Sequence, residues 1–425
     1  MKRLAPLLLA ATTIALSAAV TQAAPAGFAC AQDSAATLIQ KGRELLGAGR
    51  VDEAQAAFDA AFALDKSART KTWVARGWIA RHKFAEALLA ADEMHATNPD
   101  DSNYLSGLAF LGMAKAAMAA GGTQYTQSQL DDAYGFLKRA TAADAERYRD
   151  AFLPFAEAAW YAQALDDARA ACAHAIALEM SNVEAHALLG RIEFSAYIAA
   201  SDEAAKERAW KAALGAFKKV IELHGSATEP HKRSAVADAH VQCGDLHAWK
   251  QDLGAASTAY ANALGLDPSR VPLDRVHQSL GRDAFSTCIT EGVSRFKKLY
   301  SERQTSFATL AWWNGYSLYE NAKWAECEAA FRTAVELWPA YANSWYFVFR
   351  ARQSQQLYSE SIDALHTYMK LSPEGLASAL GGEAEFNVGV LDFLVGWCAN
   401  PEKQPDGVRL SAAAFLCEVL TLVQP

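Results

Sequence analysis

Apolar and small residues recur along this chain every three to four positions, the period of a half-buried helix. A longer regularity lies over that period. A small residue, mostly Ala, is followed four positions later by a large apolar residue and seven later by another small or apolar one. The sets are Ala54, Phe58, Ala61; Ala87, Ala91, with Pro99 beyond; Ala133, Leu137, Ala140; Ala168, Cys172, Ala175; Ala213, Phe217, Val220; Ala256, Tyr260, Ala263, Pro268; Cys327, Phe331, Ala334, Pro339; and Ser361, Leu365, Tyr368, Pro373. First places are 33 residues apart from Ala54 to Ala87, 35 from Ala133 to Ala168 and 34 from Cys327 to Ser361. Three intervals are stretched to 46, 45 and 43 residues, and polar or Ala-rich insertions at 121–129 and 201–208 account for part of this. The interval from Ala256 to Cys327 is 71 residues, about two units, which predicts a degenerate repeat near 272–303, beginning around Leu280-Gly281.

Each unit has two helical halves. A small residue in the first half often stands twelve positions before the anchor: Gly42, Gly244, Gly315, and further upstream the Leu189-Gly190 pair. Short polar turns such as Gly49-Arg50 separate the halves. Asn98-Pro99-Asp100, Asp267-Pro268-Ser269 and Ser372-Pro373-Glu374 close units, because Pro cannot continue a helix and pushes its predecessor out of the α region. Small residues allow two antiparallel helices to approach, and the large residue one turn on fills the gap beside them. One pair cannot bury its own face, so neighbouring pairs must complete the core.

The pattern resembles the tetratricopeptide repeat family, most closely in Ala256, Tyr260, Ala263 and Pro268 of the second-helix signature. The first-helix signature is patchier. Trp345 stands where the family has Trp, but Val348-Phe349 replaces Leu-Gly; Leu189-Gly190 matches, with His186 in place of the Trp. The resemblance implies an all-α fold, a right-handed α-solenoid of about eight or nine helical hairpins over residues 35–373. Residues 374–425 read as a link followed by two helices, at 383–397 and 408–422, that cap the array.

Composition narrows the function. Hydrophobic residues make up 52% of the chain and only 12 residues are Pro, which favours helix and supplies a core. The formal net charge is −8, and no basic block lies beyond Lys2 and Arg3, so a nucleic-acid partner is not expected. Residues 1–23 read as a secretory signal: Lys2 and Arg3, an apolar stretch from Leu4 to Val20, then small residues permitting cleavage after Ala23, with Ala26 the second choice. Residues 24–34 form the start of the mature chain, expected to be periplasmic or secreted. No Leu stands three before Cys30, which disfavours a lipid anchor there. No later stretch is apolar for long enough to span a bilayer.

No catalytic motif stands out: there is no HExxH, no GxSxG elbow and no Gly-rich loop opening a helix. His174 and His186 lie in adjoining helices, yet no Cys or carboxylate completes a metal set. Neither a cofactor nor an enzymatic activity is expected. Cys172 and Cys327 occupy packing places. Cys398 and Cys417 on the terminal helices either form a disulfide or remain buried thiols, and Cys243 with Cys288 is a weaker pairing.

In the family, ligand peptides lie along the face lined by first helices. The position after the small residue, which the resemblance points inward, carries Arg43, Arg76, Arg191, Tyr316 and Arg350, with Glu157 and Asp245 breaking the series. Trp312 and Tyr346 lie one turn earlier on this face, Trp160 and Tyr319 one turn later. Arg beside aromatic side chains is the composition of binding hot spots, although the same aromatics can serve simply to pack repeats together. The expected function is a non-catalytic scaffold of the cell envelope binding a protein or peptide in this groove. The alternatives are a structural subunit that uses its convex face, or an enzyme whose site lies in the C-terminal region.

Overall fold

The computed structural model describes residues 34–121, 126–226, 228–299 and 305–372. The signal segment, Cys30, Cys398, Cys417 and the capping helices lie outside them. Among the described residues there are 17 α-helices, two short 3-10 turns and no strand, the expected all-α repeat fold. The chain divides into two compact units, residues 1–90 and 91–425.

In the first unit, α1 (Ala35–Gly47) and α2 (Val51–Leu64) form a hairpin, and α3 (Ala68–Ala80) packs on both; α4 (Phe84–His95) begins in this unit. Ser34 and Ser67 cap α1 and α3 by accepting from the backbone N–H three residues on, at 3.1 and 3.4 Å. Such a cap is worth about 1 kcal/mol.

In the second unit the hairpins are α5 (Pro99–Ala119) with α6 (Thr126–Ala143), α7 (Phe152–Tyr161) with α8 (Leu165–Leu178), α9 (Val183–Ala199) with α10 (Glu203–His224), and α11 (Pro230–Trp249) with α12 (Leu253–Leu266). After α13 (Leu273–Leu299) come α14 (Thr305–Glu320) with α15 (Trp324–Leu337), and α16 (Ala342–Ser354) with α17 (Tyr358–Leu371). Pro99 and Pro230 open α5 and α11, where a missing N–H costs nothing. The stretched intervals between anchors fall on the longest hairpins: α5 and α6 run to 21 and 18 residues, α9 and α10 to 17 and 22.

The anchor sets occupy the second helix of each hairpin, and every first place from Ala54 to Ser361 is buried to 0% exposure. Size rather than polarity is what matters there, since Cys327 and Ser361 serve as well as Ala. The large residue four later reaches across onto the first helix. A Cβ added at Gly42 would lie 2.4 Å from the Phe58 ring, at Gly190 2.5 Å from Phe217, at Gly244 2.6 Å from Tyr260 and at Gly315 2.9 Å from Phe331. This contact is the physical reason for the recurrent Gly: any side chain would force the second helix away.

The interval around 272–303 holds α13, which bends at Gly281 (φ 69°, ψ 175°), a backbone conformation that favours Gly. Nothing lies within 4 Å of a Cβ built there, so Gly281 serves the bend and not a close helix contact. One helical segment begins at Leu273, directly after Pro272 and at the near bound of the expected 272–303 stretch, and a second follows Gly281. Cys172, Cys243, Cys288 and Cys327 are free and buried. The pairing of Cys243 with Cys288 is not formed, because the two thiols sit in different core clusters. Burial pushes all four thiols up to about 12, so they are protonated at neutral pH.

Candidate binding surface

Second-neighbour contacts define the surface. Beyond consecutive helices, α1 touches α3, α5 touches α7, α7 touches α9 and α14 touches α16. All are first helices of their hairpins, so α1 with α3 in the first unit, and α5, α7 and α9, and α14 with α16, in the second, lie side by side.

Four of the expected Arg residues stand on first helices, two in each unit, each over an aromatic ring. In the first unit, the guanidinium carbons of Arg43 and Arg76 lie 5.2 and 4.6 Å from the centre of the same Trp73 ring. In the second, Arg191 on α9 lies 5.4 Å from the Trp160 ring on α7. The Trp160 indole is itself fixed by donating Nε1–H to Ser195 Oγ at 2.9 Å. Arg350 lies 6.0 Å from the Tyr346 ring and donates to the Tyr346 hydroxyl at 3.1 Å. An Arg above a ring gains about 0.5–1 kcal/mol at an exposed site and keeps its donors turned outward. No carboxylate pairs with Arg43, Arg191 or Arg350 among the described residues, whereas Arg50, Arg147, Arg169, Arg270, Arg275, Arg295 and Arg352 all hold one.

Four of the expected aromatic residues, Trp312, Tyr316, Tyr319 and Tyr346, come together as one cluster, whereas Trp160 lies under Arg191 instead. Trp312 stacks on Tyr316 with centroids 5.5 Å apart and planes 9° apart, and Phe347 meets Trp312, Tyr316, Tyr319 and Tyr346 edge-on at 5.2–5.6 Å. All are half-buried against the core of α14–α17, so they bind these hairpins together as well as lining their surface. Burial holds the Tyr316 and Tyr346 hydroxyls above the usual phenol range.

A cavity adjoins Arg191 on this side of the second unit. About 500 Å³ lies between α9, α11 and the link into α13, lined by Arg191, Phe217, Gln242, Val271, Pro272 and Arg275 among others. Sequence reasoning found Arg191 but missed Trp73, Gln242, Arg270 and Arg275. Trp73 could have been found as a ring three residues before Arg76 on the same helix. The others come from α11, the link and the first turn of α13, where no repeat register points to them.

His174 and His186 are engaged separately, His174 against the Phe152 ring and His186 with the Met180 carbonyl at 3.0 Å. Among the described residues no group of three or more His, Cys, Asp or Glu could hold a metal ion, and no helix is long and apolar enough to cross a membrane.

No family model matches the chain, and no curated protein matches it. Solved structures do. A thermophilic tetratricopeptide-repeat protein of Thermus thermophilus, TTC0263, is 20% identical over 48% of this chain and 98% of its own, with a TM-score of 0.38. The apo form of RapI is 10% identical over 91% and 97%, with a TM-score of 0.43. Human IFIT1, solved as a dimer with PPP-AAAA, is 12% identical over 80% and 73%, with a TM-score of 0.39. The hairpin order, the buried anchor sets and the contact of Gly with the large residue make the fold of this chain that of tetratricopeptide-like helical repeats.

Proposed function

We propose that the mature chain is a non-catalytic scaffold of the cell envelope, periplasmic or secreted, whose first-helix face holds a segment of a partner protein. The observation that carries this reading is that Arg43, Arg191 and Arg350 are mounted on aromatic rings without counter-ions among the described residues. A guanidinium held on a ring loses less freedom on binding and can grip a carboxylate or a backbone carbonyl. The aromatic cluster of Trp312, Tyr316, Tyr319 and Tyr346 supplies apolar area beside Arg350, the composition of an anchor region.

The test is affinity capture from envelope extract with residues 24–425, beside a variant carrying R43A, R76A, R191A and R350A. A partner retained by the wild type and lost by the variant supports the reading. A partner held equally by both moves the site to the convex face. Fractionation of cells expressing the full chain tests the location: a chain that stays in the cytosol with residues 1–23 attached removes the envelope from the proposal.

A further inference from the structure

The 500 Å³ cavity beside Arg191 is of ligand size, within the range of about 300–1,000 Å³ usual for small-molecule sites. Its walls are mixed: the apolar part is Phe217 from α10, Val241 and two Ala from α11, and Val271 and Pro272 around the link, and polar and charged side chains line the rest. A helix about 10 Å across occupies roughly 420 Å³ per turn, so the cavity admits little more than one turn. It suits a small molecule or the tip of an extended chain.

The charges around it are unevenly committed. Asp238 is held by Arg270 through two hydrogen bonds, at 3.0 and 2.5 Å. Arg275 donates to the buried Asp245 at 3.0 Å, and Asp245 also accepts from the Tyr260 hydroxyl at 2.6 Å. Both acids are thus neutralised, and so are both of these Arg. What is left is Arg191, which no carboxylate pairs, and the Gln242 amide, which has no hydrogen-bond partner among the described residues. The site therefore offers one positive charge, one amide and an apolar floor. The net charge of −8 on the chain works against any polyanion approaching it.

We propose that this cavity is a binding site for a single carboxylate carried on a short apolar body, with Arg191 gripping the carboxylate and Gln242 donating to it. That chemistry is shared by a small monocarboxylic acid and by an acidic residue flanked by an apolar one in an extended peptide. Trp160 is a positioning residue: its ring carries Arg191, and Ser195 fixes the ring. The inference rests on the first-helix face being the binding face.

Calorimetric titration of the full mature chain separates the sources with two probes, 4-phenylbutanoate and the capped peptide acetyl-Leu-Glu-Leu-Ala-amide, whose Glu is its one carboxylate. 4-Phenylbutanamide is the uncharged control. Binding of phenylbutanoate identifies a free acid as the ligand, and binding of the peptide alone identifies a partner side chain. In either case R191A weakens binding by roughly 10-fold or more, since a charge-assisted hydrogen bond is lost, and R191K restores part of it. D238N releases Arg270, and binding tightens. Each variant is checked for an unchanged helical spectrum. The proposal is overturned when neither probe binds, when the amide binds as well as the acid, or when R191A binds undiminished. A probe lost with R191A while partner capture ignores all four Arg changes leaves this site standing and moves partner binding to the convex face.

Discussion

Gly244→Ala tests the packing argument, because two effects of opposite sign compete there. Gly244 lies inside α11, where Ala is the better helix former by about 1 kcal/mol. Propensity alone therefore expects a more stable protein. The new methyl, however, would sit 2.6–2.8 Å from Cε1, Cδ1 and Cζ of Tyr260. That ring is 1% exposed and is tethered by its hydroxyl to Asp245, so it cannot swing aside. Forcing a methyl into such a contact costs about 1–3 kcal/mol before the propensity gain is counted. The difference is about 0–2 kcal/mol, and the pinned ring puts the expected net loss towards the upper end. Gly215→Ala is the control: this Gly is exposed within α10 with nothing within 4 Å of a Cβ, so the variant gains about 0.5–1 kcal/mol. Urea titration gives both signs, and hydrogen exchange locates the first loss of protection at α11 and α12, as expected where repeats open locally. Adding Tyr260→Leu to Gly244→Ala should cost less than the sum of the single changes. A Gly244→Ala protein as stable as the wild type, or more so, refutes the reasoning.

Further outcomes follow from other parts of the chain. Ala322 holds φ 57° in the turn between α14 and α15, a conformation that costs a non-Gly residue about 1 kcal/mol, so Ala322→Gly should raise the urea midpoint; an unchanged or lower midpoint counts against it. Burial lowers the His240 imidazole from 6.5 to about 4, so its contribution is intact above pH 6.5 and is lost as pH falls from 6.5 towards 4, by at most about 3 kcal/mol. His240→Gln should flatten that part of the stability–pH curve, and an equally steep curve would exclude His240 as its source. Asp101, 2% exposed, accepts from the Tyr148 hydroxyl at 2.7 Å and from Arg147 at 2.5 Å; Asp101→Ala orphans both donors and should cost about 2–3 kcal/mol by urea titration.

The fold was legible wherever a local sequence rule coincides with a contact. Ala256, Tyr260 and Ala263 announce themselves because close helix approach demands small residues and one large filler, and these are the residues found buried. Cys327 and Ser361 could be placed for the same reason, their size being right. The hairpin turns were less legible. Gly49 signals its turn, but His82, Gln163, Gln251, Ala322 and Gln356 hold equivalent positive φ angles of 57–61° without any compositional mark. The paired helices dictate that conformation, and the residue accommodates it. In α13 the conspicuous Gly281 marks the break between two helical segments, the first of which begins at the plainer Leu273.

At the candidate surface, one register position separates what was legible from what was not. The residue after the small one is Arg at positions 43, 76, 191 and 350 and Tyr at 316, but an acid at Glu157 and Asp245. From sequence alone the two acids look like exceptions that weaken the series. Glu157 receives Lys115 from α5 at 2.8 Å, and Asp245 receives Arg275 and Tyr260. Their charges are consumed in fastening one helix to another. Arg43, Arg191 and Arg350 fasten nothing by charge; they rest on rings, with no acid opposite among the described residues. The same register therefore does two kinds of work, and the presence of a counter-ion tells them apart. That difference depends on which side chain the neighbouring hairpin presents, which a repeat pattern read one unit at a time does not contain. At the cavity beside Arg191 both kinds meet: the next first helix along, α11, carries Asp245 at this register, and Asp245 is spent on Arg275, itself a lining residue, while Arg191 faces no acid among the described residues.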